Sequence, residues 1–97
     1  MKTLPFNVIA YQKTPVFTQE TVPAALLKHH TTKEGSWAKI CVISGQLEYH
    51  ILFDPSEEHR LTPDLPGIVE PQTPHQVKPL GPVEFYVEFY RAEDLSC

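Results

Sequence analysis

Ten prolines, distributed from Pro5 to Pro82, constrain this 97-residue chain more than any other feature. Each one removes a backbone donor and costs about 3 kcal/mol in a helix interior. Their spacing leaves few windows long enough for a stable helix. The best of them, Ala24-Ala25-Leu26-Leu27-Lys28, is short, follows Val22-Pro23, and lacks the polar spacing of an amphipathic helix, so it suits a strand equally well.

Strand signals are stronger. Residues 7–12 and 26–31 read as the first two strands, and residues 38–44 as an apolar, β-branched buried strand. Gly45-Gln46 marks a tight turn, after which residues 46–53 alternate polar and apolar. Residues 54–58 read as a charged loop, with strands following over 68–70 and 75–78. The last strand, 83–91, alternates Phe85, Val87 and Phe89 against Tyr86, Glu88 and Tyr90. Seven or eight short strands with regular turns predict an all-β sandwich or barrel occupying residues 1–97 as one domain.

Bulk properties narrow the function. A net charge of -4 and only eight scattered Lys and Arg residues exclude a nucleic-acid footprint, which needs clustered basic groups. The same balance argues against an anionic membrane surface. The start, Met1 to Asn7, has a lysine but no apolar stretch behind it, and nothing approaches the roughly 20 apolar residues of a membrane span. Cys41 lies in the apolar run Ile40-Cys41-Val42-Ile43 and is expected to be a small buried hydrophobe; with Cys97 last, both are expected as free thiols. A cytoplasmic protein is expected. Its size limits the core it can bury, so a homodimer is expected too.

Chemistry concentrates in two segments, Lys28-His29-His30 and Glu70-Pro71-Gln72-Thr73-Pro74-His75. Successive side chains of a strand face opposite sides, so Leu26, Lys28 and His30 share one face, and His75 shares a face with Val77. A site would use one histidine from each segment, fewer than the three or four ligands usual for zinc. Glu88 is the best third metal ligand by residue type and Glu70 is another. His50 between Tyr49 and Ile51, and His59 in the charged loop, are weaker candidates. Trp37 is either a pocket wall or core packing. Tyr86, Glu88 and Tyr90 line either a cavity or an exposed face. Motifs for nucleophile elbows, phosphate loops, dinucleotide folds and zinc ribbons are absent.

These segments bear a family likeness. Lys28 to Trp37 resembles one segment of the N-terminal domain of the tellurite-resistance protein B family (TehB), and Ile68 to His75 resembles a second. Val42-Ile43-Ser44-Gly45-Gln46-Leu47, Phe89-Tyr90-Arg91 and Tyr11 to Phe17 are similar to its hairpin, its closing strand and its upstream segment. The likeness spans roughly residues 8 to 94. It implies a cupin-like double-stranded β-helix, a jelly-roll barrel, with His30 and His75 on facing inner strands. Cupins hold a metal through an HxH pair, a glutamate and a further histidine. By that pattern Lys28 stands at the first histidine and Ala38 at the glutamate, so His30 and His75 are the two ligands that remain. In longer members the barrel precedes a methyltransferase domain that uses S-adenosylmethionine, for which this chain has no glycine-rich loop.

Three functions follow as expectations. The leading one is a domain binding a small molecule or oxyanion, linked to tellurite or related stress, through Lys28, His30, Trp37 and His75. Its rival is a metal-dependent cupin enzyme, with His30, His75 and Glu88 holding a divalent Zn, Ni, Fe or Cu ion. The third is a dimeric interaction module.

Overall fold

The structure, a computed structural model, describes residues 2–27, 30–52 and 56–92, with His30 through its backbone. Among these residues the chain forms β1 (Val8–Lys13), β2 (Phe17–Thr18), a 3-10 turn (Ala24–Leu27), β3 (His30–Thr31), β4 (Ser36–Ser44) and β5 (Leu47–Ile51). It continues through β6 (Glu57–Leu61), β7 (Gly67–Val69), β8 (Pro74–Pro79) and β9 (Glu84–Ala92). No helix of the described residues is long and apolar enough to cross a membrane.

Two antiparallel sheets result. One runs β1-β9-β4-β7, with β2 also paired to β9; the other runs β3-β8-β5-β6. The all-β expectation holds, as a jelly-roll-like sandwich rather than a closed barrel. Period-two alternation places the core. Ala38, Ile40 and Val42 of β4 and Phe85 and Val87 of β9 are buried, facing Leu47, Tyr49 and Ile51 of β5 and Val77 of β8. The register Ile40↔Val87 and Val42↔Phe85 brings the apolar faces of β4 and β9 side by side.

Two expectations change. Residues 26–31 are not one strand: the Leu26 N–H bonds to the Pro23 carbonyl at 3.0 Å, closing the 3-10 turn before β3 begins. Glu57 and Glu58 open β6 instead of ending a loop, and His59 is therefore a strand residue. Only Leu61 of β6 is fully buried, because this strand is the edge of its sheet, where charged side chains are tolerated and block further pairing.

The β4–β5 connection depends on Gly45, which sits at φ 80. A Cβ there would lie 2.2 Å from the Pro82 carbonyl oxygen, so the turn is pressed against the segment leading into β9. Gly35 has φ 76 and open space around its missing Cβ. Gly35→Ala should therefore cost only the left-handed penalty of about 1–2 kcal/mol. Gly45→Ala should cost clearly more, because the backbone must also move. Chemical denaturation of both variants checks this; equal costs would show that the contact with Pro82 is not felt.

Candidate functional site

A cavity of about 240 Å³ lies between the sheets. Its walls come from both: Ala38 and Ile40 of β4, Phe85, Val87 and Phe89 of β9, Val77 and His75 of β8, with Leu26 of the 3-10 turn at one side. The lining is almost wholly apolar. Its polar side chains are Thr14, Thr32 and His75.

His75 is held from several directions. It is 5% exposed. Its Nδ1 lies 2.9 Å from the Thr73 carbonyl, a contact that sets the orientation of the ring. The ring meets Tyr49 edge-on, 6.0 Å between centroids at 75°. The backbone of His30 pairs with that of His75 across β3 and β8.

The loop before His75 is strapped down. The Thr32 hydroxyl donates to the Glu70 carbonyl at 2.7 Å, and the Gln72 N–H donates to the Thr32 carbonyl at 3.0 Å. Gln72 itself has φ 55, a left-handed conformation unusual for a residue with a side chain. The bond to Thr32 holds it there. Sequence reasoning placed Thr32 and Gln72 within the two segments but gave neither a role. The available signal was the proline-flanked Gln72-Thr73 pair.

Tyr49 supports this wall from beneath. It is fully buried, and its hydroxyl donates to the Ile68 carbonyl at 2.9 Å, joining β5 of one sheet to β7 of the other. Burial first, then the carboxylates of Glu57 and Glu70, push its phenol well above the ordinary range.

The other candidates fall elsewhere. Trp37 is half-buried on the face of β4 opposite Ala38 and Ile40, away from the cavity lining. Glu88 occupies the corresponding face of β9 and accepts a hydrogen bond from the Tyr90 hydroxyl, so the structure does not bring it to His75. Tyr86, Glu88 and Tyr90 thus form an outer face. Burial, then the bond to Glu88, pushes the Tyr90 phenol up to about 12. Cys41 is on that face too, half-buried instead of buried, because its neighbours Ile40 and Val42 take the inner positions. His50 is on the outer side of the other sheet, bonded to Glu48, with Nδ1 3.5 Å from Glu58. The bond to His50 holds the Glu48 carboxyl below its usual range. His59 bonds Glu57 at 2.9 Å and lies 6.3 Å from the Tyr49 ring. Lys28 and His29 lie outside the described residues. Among the described residues no three His, Cys, Asp or Glu side chains form a metal cluster.

Comparison with known proteins agrees with this architecture. The family model of the TehB-like domain matches residues 12–87. A Haemophilus influenzae protein named as a probable S-adenosyl-L-methionine-dependent methyltransferase, TehB, is 35% identical over 96 residues. The match takes in 94% of this chain and 29% of that protein; the corresponding protein of a second strain is 34% identical. The crystal structure of TehB from Haemophilus influenzae superposes with a TM-score of 0.81 at 33% identity, over 90% of this chain and 32% of that one. A crystal structure from E. coli strain K12 has a TM-score of 0.87 at 20% identity and is covered over its full length, a likeness of fold.

Two outcomes are expected. Thr32→Val keeps the side-chain shape but loses the bond to Glu70, and should cost about 1 kcal/mol in a denaturant titration. An unchanged midpoint would show that the strap does not hold the loop. Between about pH 10 and 12 the unfolded chain gives up phenolic protons that the folded chain retains on Tyr49 and Tyr90, so stability falls as pH rises through that window. Melts at a series of alkaline pH values read the slope, and a flat profile would contradict it.

Proposed function

This chain belongs to the TehB-like family, and we propose that its cavity receives a small, largely apolar molecule carrying one polar group, presented at the His75 end. The apolar lining carries this reading. Burial of a ring or short hydrocarbon there is favourable at roughly 25 cal/mol per Å² removed from water. The cavity exceeds the engineered apolar cavities of about 150 Å³ that accept benzene.

Polar choice at the wall is narrow. Thr32 donates to Glu70, and the Thr14 hydroxyl both donates to the Pro15 carbonyl and accepts from the Val87 N–H. His75, the ionisable one of the three, is the side chain we assign to the ligand's polar group. An oxyanion such as tellurite suits these walls less well. They carry no Lys or Arg, Lys28 being outside the described residues, and an anion buried without a partner costs several kcal/mol. The relatives are named for methyl transfer, and this chain spans 29% of their length. We assign the receptor role to this part and methyl transfer to the remaining length of those proteins.

A second reading rests on the pairing of His30 with His75. Two imidazoles with water completing the shell would take Zn, Ni, Fe or Cu in preference to Ca or Mg.

Thermal unfolding separates these readings, because a ligand of the native state raises stability by mass action. Phenol and toluene should both raise the melting temperature of the untagged chain. Val87→Trp, which fills the cavity, should abolish both responses; His75→Leu should weaken phenol and spare toluene. No response to either probe would overturn the receptor reading. A response to Zn, Ni or Fe salts that disappears in both His30→Ala and His75→Ala would establish the metal reading instead, and a response to tellurite alone would establish an oxyanion site.

A further inference from the structure

The outward face of the five-stranded sheet is built unlike a surface meant only for water. A sheet packed on one side normally turns polar side chains outward. Here β4 turns out Trp37, Lys39 and Cys41, and β9 turns out Tyr86, Glu88 and Tyr90. Ile43, at the bulge that ends the β4–β9 ladder, is 48% exposed. Three of these six side chains are aromatic, the residue type enriched at protein interfaces, and they flank one Lys–Glu pair.

Register sorts these residues into three rows: Trp37 opposite Tyr90, Lys39 opposite Glu88, and Cys41 opposite Tyr86. The middle row pairs a cation with an anion, and the rows on either side are aromatic or apolar. Lys13, which also pairs with Glu88, places its Nζ 4.4 Å from the centroid of the Tyr86 ring.

We propose that this face joins two copies of the chain, back to back, about a two-fold axis that runs parallel to the strands between β4 and β9. Such an axis exchanges the two strands while keeping position along them. Each β4 residue then lies against the β9 residue that is its register partner, contributed by the second copy. Lys39 meets the second copy's Glu88, and Glu88 meets the second copy's Lys39. Trp37 meets Tyr90, and Cys41 meets Tyr86, twice each. A two-fold interface must be self-complementary, residue i against j and j against i, and these rows satisfy that condition for charge and for apolar character together. A crossing of about 30° between facing sheets tilts the axis about 15° from the strands, which displaces the outer rows but leaves the middle row in register. Charge complementarity at the centre therefore selects a second copy as the occupant. The proposal is independent of what the cavity binds, and it leaves the cavity, on the other side of β4 and β9, unobstructed.

Analytical ultracentrifugation of the full chain over a range of concentrations tests it. The wild-type chain should sediment as a dimer. Glu88→Lys, which sets lysines against each other at the centre, should weaken the dimer by about a hundredfold or more. The double exchange Lys39→Glu with Glu88→Lys restores opposite charges in mirror order and should restore the dimer. Circular dichroism and thermal melts of the same samples show whether each variant is folded. A monomeric wild type would overturn the proposal and leave the face to the further length that the TehB relatives carry. A dimer that survives Glu88→Lys, or a double exchange that stays monomeric while folded, would overturn it equally.

Discussion

Tyr49 is the joint on which the two sheets and the candidate site turn. It is the largest of the fully buried side chains, and its hydroxyl crosses from β5 to the Ile68 carbonyl on β7. A buried phenol without a partner would cost a desolvation penalty of a few kcal/mol, so this bond fixes how β5 approaches β7. The same ring stands edge-on to His75 and near His59. The distance between the sheets at this end, and the position of His75 on its wall, follow from one side chain.

Above that joint the sheets do not close completely. Leu47 and Leu61 fill one part of the interior, with Phe85 reaching in from the opposing sheet. Toward β3 and the 3-10 turn the facing residues are Ala38, Ile40, Val77 and Val87, mostly small or β-branched, and the volume between them stays open. Well-packed interiors rarely leave a void of that size. An apolar void forfeits dispersion contacts, and a ligand of matching character restores them. That is why the lining, rather than any constellation of charged groups, carries the functional reading.

Much of the fold was legible because period two is a strong signal. Phe85, Val87 and Phe89 against Tyr86, Glu88 and Tyr90 marked β9 and its two faces directly. The same parity held the answer for Trp37 and Glu88, since a face bearing Lys39 or alternating with Phe85 and Val87 is the outer one. Reading it required knowing which face was inside, and an isolated strand does not say. β6 escaped notice because an edge strand is charged by design, leaving only Leu61 to betray it. The 3-10 turn at Ala24–Leu27 escaped because its backbone bond to Pro23 is local and its apolar run mimics a strand. His75 was legible as a residue type, whereas its orientation comes from Thr73, Tyr49 and the strap through Thr32, contacts that join segments distant in sequence.

The central claim is that an apolar space able to hold a guest lies between the sheets beside His75. Diffraction from crystals held under xenon tests it most directly, because xenon enters dry apolar cavities and scatters strongly. The account predicts a xenon peak in contact with Ile40, Val77 and Val87, without displacement of β4 or β9. Electron density showing those side chains closed on one another, with no xenon between them, would contradict it.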